Sequence, residues 1–363
     1  MARKLTFDKA LLAAIAGLLL LGLVMVFSSS ALMQLNVERR TLLSGAPFFK
    51  QLLAASLGLV GMVFMLQIDY RRLKQPVLVY GAVLGVLALL VAVLFAPPIN
   101  GRHRWLLIGG VSLQPSELAK LVAVLVLAHQ LDRKWQKVNS PVLLLPLAAI
   151  LGVFVLLIVG EDLGTALILT AATALVLFVS GLSWRYFAGA LVCLAPAVWF
   201  FVVRVPYRLQ RVLSFLRPEE DALGGGYQTL QSLIAVGSGG VFGVGLGQSV
   251  QKLSFLPFAN SDFIYAIVCE ELGLLGGLCV LLLFGLFAWR GYEAGRNAPD
   301  VFGRHLAWGL TALIVLQVLV HVSITLQLLP VTGTPLPLIS YGGSALVTNL
   351  TACGIVLSVS QHA

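Results

Sequence analysis

The sequence predicts an all-α polytopic membrane protein with about ten transmembrane helices and a long extracytoplasmic loop between the seventh and eighth. Three observations carry that prediction. Of 363 residues, 59% are hydrophobic and 11% charged, whereas a soluble domain has about 45–50% apolar and about 25% charged residues. Mean hydropathy is +0.97. Apolar stretches of roughly 18 residues or more, long enough to cross a hydrocarbon core, recur from end to end. A water-soluble globule is excluded, and residues 1–363 are expected to form one integral membrane domain. The alternation of a membrane barrel is absent, and unpaired backbone is costly in hydrocarbon, which leaves helices.

Arg3, Lys4 and Lys9 precede an apolar run from Leu11 to Phe27 that superficially resembles a secretory signal. The run continues through Ser28, Ser29 and Ser30 into Leu32, too long for a cleaved leader, so it reads as a first span at 10–32. Further spans are expected at 48–68, 76–96, 114–131, 142–160, 162–180, 186–203, 263–289, 305–329 and 342–360. The four cysteines, Cys193, Cys269, Cys279 and Cys353, lie in apolar stretches without Cys-x-x-Cys or Cys/His spacing. They read as small buried hydrophobes, not a disulfide framework or zinc site.

The net charge of +9 is explained by topology, because the basic residues fall in short clusters between spans and form no long basic run; no nucleic-acid partner is expected. With the N-terminus inside, thirteen Lys and Arg of the short loops lie on the cytoplasmic side and five, Arg39, Arg40, Lys50, Arg102 and Arg104, lie outside. Both termini are therefore expected in the cytoplasm. The long 204–262 segment carries Arg204, Arg208, Arg211 and Arg217, then Glu219, Glu220 and Asp221, then glycines 224–226 and 237–247. Its Tyr227–Val236 stretch is amphipathic, and the later glycines read as turns at the outer interface or re-entering the membrane. No nucleotide-binding glycine motif is matched.

Ionisable residues in or beside spans are costly and mark candidate function. Glu117 and Lys120 stand at i, i+3 on one face of the fourth span; a structural ion pair and a functional pair both fit that spacing. Asp262 opens the eighth span, where it either caps the helix or, half-hydrated beside Phe263, gains a raised pKa suited to a general base. Glu270 and Glu271 read as structural. Arg102 and Arg104 stand in the outer loop against the charge rule and suit an anion. Asp162 and Glu161 read as caps of the sixth span, and His321 as a hydrogen-bonded packing residue. On the inferred topology these groups and the Gly/Pro-interrupted loop Thr332–Ser344, with Ser340 and Tyr341, converge on one outer site. A groove open to water and lipid suits a lipid-anchored polar substrate.

The chain resembles the SEDS family, bacterial shape, elongation, division and sporulation proteins that polymerise peptidoglycan strands from lipid II. The resemblance rests on Gly101-Arg102-His103-Arg104-Trp105, Gln114-Pro115-Ser116-Glu117-Leu118-Ala119-Lys120, Asp162-Leu163-Gly164-Thr165, Phe255-Leu256-Pro257 through Ser261-Asp262-Phe263, Glu270-Glu271-Leu272-Gly273 and Pro335 through Ser344. The stretches 22–30 and 243–252 resemble the cell-division branch more than the elongation branch. The chain departs from the family pattern at Gly160-Glu161, at Ser261, at His321 and at Gln327, where a glycine is common.

The resemblance implies that Asp262 is the catalytic carboxylate, that Glu117 and Lys120 are a membrane-embedded acid and base pair, and that Arg102, Arg104, Lys120, Glu117, Ser340 and Tyr341 bind substrate. It implies β-1,4 polymerisation with release of undecaprenyl diphosphate, possible help from a divalent cation (Mg or Mn), and no organic cofactor. Implied partners are lipid II, the growing strand, a class B penicillin-binding protein transpeptidase, other division proteins and membrane lipid, at the septal inner membrane. A lipid II flippase and an elongation-type polymerase are the competing readings; a pure scaffold would leave Asp262 without a role.

Overall fold

The computed structural model describes residues 7–35, 47–99, 101–109, 111–218, 226–253 and 255–363. Arg3, Lys4, Arg39, Arg40, Glu219, Glu220, Asp221, Gly224 and Gly225, named above, lie outside the described residues.

Each expected span is a helix: α1 Lys9–Leu35, α2 Pro47–Gln67, α3 Pro76–Leu94, α4 Pro115–Lys134, α5 Pro141–Val159, α6 Leu163–Val179, α7 Trp184–Val198, and later α10 Ile264–Arg296, α11 Val301–Thr325 and α12 Gly343–Ser360. Proline opens α2, α3, α4 and α5, the first-turn position at which its missing N–H costs nothing. Among the described residues, eight helices are long and apolar enough to cross a membrane. Of the other two expected spans, α6 has 17 residues and α4 carries Glu117 in its first turn and Arg133 and Lys134 in its last.

The centre of the bundle is α4, α11 and α12, with Leu127, Leu131, Ile314, Leu350 and Val356 fully buried. By contrast, none of the described side chains of α7 is buried. Cysteine burial corrects one expectation: Cys269 and Cys353 are buried, but Cys193 and Cys279 are exposed on α7 and α10. An exposed thiol on a lipid-facing helix meets an apolar medium, so the apolar context of these two residues did not require burial by protein.

Three features depart from a simple run of spans. An antiparallel hairpin, β1 Leu106–Ile108 and β2 Val111–Leu113, rises where a loop was expected. Trp199–Val203 forms a π-helical turn. The 204–262 segment folds into α8 Pro206–Leu216 and α9 Tyr227–Ser238, the second of which the amphipathic pattern foretold. Its glycine-rich continuation packs on α10, which is broken at Gly273 (φ 68°, ψ −166°).

Candidate functional site

At one end of the bundle, side chains from distant segments are tied into one network. Arg104 Nε donates to the Glu161 carbonyl at 2.7 Å, and its Nη1 lies 3.7 Å from Asp162 Oδ2. The His103 amide donates to Glu161 Oε2 at 3.0 Å. Asp162 does cap α6, accepting from the Thr165 amide at 3.0 Å, and it also receives Gln114 Nε2. Glu161 caps nothing; it fixes the Gly101–Trp105 segment instead.

Glu117 and Lys120 form the expected pair, 2.9 Å apart, with both side chains 2% exposed. Lys120 Nζ also donates to Gln317 Oε1 at 3.0 Å, and Gln317 Nε2 donates to the Pro335 carbonyl at 2.9 Å. His321 Nδ1 donates to the Thr334 carbonyl at 2.8 Å, the packing role expected of it. The pair is thus wired through α11 to the 332–344 loop. Among the described residues Glu117 Oε2 has no hydrogen-bond partner despite its burial, an unusual cost for a carboxylate oxygen.

That loop reaches Asp262. A Cβ on Gly333 (φ 76°) would stand 3.3 Å from Asp262 Oδ2, so only a glycine brings the backbone this close to the carboxylate in this conformation. Ser340 Oγ donates to the Ser261 carbonyl at 2.6 Å and accepts from the Leu336 amide at 2.8 Å. The Tyr341 amide donates to the Asn260 carbonyl at 2.9 Å. Ser340 and the Tyr341 backbone therefore fasten the loop to the Asp262 segment, whereas the Tyr341 ring is only partly buried.

Asp262 is partly buried and does not cap α10: the N-cap is Phe263, and no side-chain bond caps the helix. Burial pushes its carboxyl up to about 6, against hydrogen bonding by Ser261 and the opposing pull of Arg211 and Arg104; Asp162 adds to the rise. A carboxylate at about 6 is ionised at neutral pH and close enough to it in pKa to take a proton in a transition state.

Arg211 and Arg104 act on this carboxylate, and further arginines stand near them. Arg102 lies 5.0 Å and Arg211 4.5 Å from the centre of the Tyr207 ring. Arg211 Nη1 donates to the Val331 carbonyl at 3.0 Å, and Arg208 holds the carbonyls of Phe201, Val159 and Gly160 at 2.8, 2.7 and 2.6 Å. Arg211 and Tyr207 line a cavity of ≈ 260 Å³, and Arg102, Arg204 and Arg208 line a second of ≈ 370 Å³. Sequence reasoning gave Tyr207 and Gln317 no part in the site, named Arg208 and Arg211 without a role, and reached Gly333 only as one residue of the Thr332–Ser344 loop. The i, i+3 spacing of Arg208 and Arg211 was the available signal, since it sets both on one side of a helix. Among the described residues no group of three or more His, Cys, Asp or Glu side chains is placed to hold a metal ion.

A polytopic bundle with arginines near a half-buried carboxylate is the architecture of a membrane enzyme. The family described as "Cell cycle protein", whose name joins FtsW, RodA and SpoVE, matches residues 9–363. Stage V sporulation protein E of Bacillus subtilis is 38% identical, over 100% of this chain and 99% of that protein. The probable peptidoglycan glycosyltransferase FtsW of Geobacter metallireducens is 39% identical over 98% and 95%. Among solved structures, a chain of a peptidoglycan synthase complex that coordinates polymerization and crosslinking superposes with a TM-score of 0.79, at 30% identity over 98% of both chains. The rod shape determining protein RodA of Thermus thermophilus superposes at 0.67, with 29% identity over 98% and 97%. The chain belongs to the FtsW/RodA/SpoVE family, the SEDS proteins.

Proposed function

We propose that residues 1–363 act as one membrane domain that polymerises peptidoglycan strands from lipid II. One observation carries the reading: Asp262 is a half-buried, uncapped carboxylate with a raised pKa, set against Gly333 and under the pull of Arg211 and Arg104. The relatives named peptidoglycan glycosyltransferase and the likeness to a synthase-complex chain support it.

In the proposed reaction Asp262 takes the proton of a sugar 4-hydroxyl as its oxygen attacks the anomeric carbon of the donor. The new C–O bond forms as the bond to undecaprenyl diphosphate breaks, and attack from the opposite face inverts the anomer to a β-1,4 link. Arg211, Arg104 and Arg102 offset charge on the departing diphosphate. Lys120, neutralised by Glu117 and tied to Gln317, orients the loop that faces Asp262. A divalent cation, if used, would come bound to substrate phosphates, because Mg²⁺ is commonly held by those together with few carboxylates.

The basic asymmetry of the loops supports cytoplasmic termini and an extracytoplasmic site, and stretches 22–30 and 243–252 favour the division branch at the septum. A class B penicillin-binding protein transpeptidase is the proposed partner, alongside other division proteins. The test is glycan product from labelled lipid II by the purified protein, alone and with that partner. Glycan is the expected result. Transport of lipid II across liposomes without glycan would establish the flippase instead.

A further inference from the structure

Glu270 and Glu271 belong to no part of the proposed chemistry, yet both are buried. Glu271 Oε1 pairs with Lys252 Nζ at 2.6 Å, with the two side chains 0% and 1% exposed. Ser28 of α1 donates to Glu271 at 2.7 Å and accepts from Lys252 Nζ at 3.0 Å. The Gly247 amide donates to Glu271 Oε2 at 3.0 Å. Glu270 receives Ser249 Oγ at 2.5 Å and the Val250 amide at 2.9 Å. Two adjacent carboxylates thus grip one loop.

The same loop repairs the break in α10. At Gly273 the helical ladder stops, and the Glu270 and Glu271 carbonyls accept instead from the Val244 and Gly245 amides, each at 3.0 Å. The Leu274 amide donates to the Gly240 carbonyl at 2.9 Å. The strands of chain meet so closely that a Cβ on Gly243 or Gly273 would run into the other segment's backbone. Residues 264–272 and the loop therefore move as one body.

The Lys252–Glu271 bond closes a ring of chain, and Asp262 lies at its middle, ten residues from Lys252 and nine from Glu271. The described residues of both arms are held by backbone hydrogen bonds. One consists of hydrogen-bonded turns, with Leu256 N on the Gln251 carbonyl and Ser261 N and Asp262 N on the Phe258 carbonyl; the other is the start of α10. We infer that the Ser28–Lys252–Glu271 latch is a positioning device that fixes the depth of Asp262 against Gly333, a role that rests on Asp262 being the base. Ser28 and Lys252 fall in the two division-type stretches, so those stretches meet at this latch.

The test uses the full-length protein with its transpeptidase partner and labelled lipid II. Lys252→Ala or Glu271→Ala strands a buried charge and threatens folding, so the informative variant is Lys252→Met/Glu271→Gln, which removes both charges together. The expected result is a retained melting temperature and KM, with turnover lower by about ten- to a hundred-fold, the scale of an ångström-sized misplacement. The acid limb of its pH–rate profile should also move below the wild-type limb, because a loosened Asp262 gains water while Arg211, Arg104 and Asp162 still face it. Ser28→Ala, which leaves the ion pair intact, should lower turnover several-fold without changing KM. Wild-type turnover and an unmoved acid limb in either folded variant would overturn the latch. Full activity in Asp262→Asn would instead overturn the reading of Asp262 as the base.

Discussion

The two ends of the bundle use the same kinds of side chain to opposite effect. At the end away from the site, Asp300 caps α11 through the Gly303 amide at 2.7 Å and also receives Tyr70 Oη at 2.7 Å and Arg71 Nε at 3.1 Å. Burial works against its ionised form, but those three donors win and hold its carboxyl below the usual range. Lys74 pairs with Asp132 at 2.6 Å, and Arg290 with Asp8 at 2.5 Å. At the site end, Asp262 is lifted to about 6 and lacks a helix to cap, and Glu117 Oε2 is unpartnered among the described residues. Phe258 and Leu338, on the two segments that meet around Asp262, adopt φ of 56° and 62°, a left-handed conformation costly to any residue with a Cβ. The lesson is that one end is arranged for stability, while the other carries strain of the kind that persists at working sites.

The largest expected effect comes from Asp262→Asn, which should lower glycan synthesis at least about a hundred-fold. Its effect on stability follows from the sign of the shift. A carboxyl raised in the folded state favours folding below the ordinary Asp range, and that benefit is lost as pH rises toward 6. The Asn variant should therefore melt higher than wild type at pH 7.5 and level with it at pH 4, as read by tryptophan fluorescence. A lower melting temperature at pH 7.5 would dissolve the contrast between the two ends.

Next in size is the buried pair. Lys120→Ala or Glu117→Ala should cost roughly 3 kcal/mol of stability by stranding its partner, and Glu117→Ala/Lys120→Ala should recover most of that. Activity should not recover in the double variant, because Gln317 loses the Lys120 donor that helps orient the 332–344 loop. A fully active double variant would move the pair from the working end's machinery to its scaffolding.

At the opposite end, Asp300→Asn should cost about 2 kcal/mol at pH 7 and leave glycan synthesis per folded molecule unchanged. Here the sign reverses: a lowered pKa stabilises above the ordinary Asp range and is lost on acidification. The wild-type and variant melting curves should therefore merge at low pH. The smallest effect concerns Gln327, which follows α11 with φ 55° while Leu328 N bonds back to the Ser323 carbonyl at 2.7 Å. This is the left-handed C-terminal position that favours glycine, so Gln327→Gly should gain about 1 kcal/mol in a denaturation assay.

The ten expected spans were legible because a span must be a long apolar run, and such runs are hard to hide. The hairpin was not, since Trp105–Leu113 is as apolar as its surroundings and only the Gly109-Gly110 pair hints at a turn. The break at Gly273 was masked by the many glycines that membrane helices tolerate. In the site, Asp262, Glu117, Lys120, Arg102 and Arg104 stood out because charge is rare in this chain. Gln317 and Gly333 did not, being uncharged and brought to the site only by the packing of α11 and its following loop. The cap expected as one reading of Asp262 is absent because α10 starts two residues later, behind Phe263.

Tyr207 matters for inhibitor chemistry. Its ring lines the Arg211 chamber and also carries the Arg102 guanidinium, which lines the other, so one phenol touches a cation from each. A compact dianion would engage one of these arginines, whereas a compound bearing acidic groups at both ends of a slim linker would gain from two weak contacts at once. Removing the ring with Tyr207→Ala would release both guanidiniums and reduce the advantage of the longer compound over the smaller dianion.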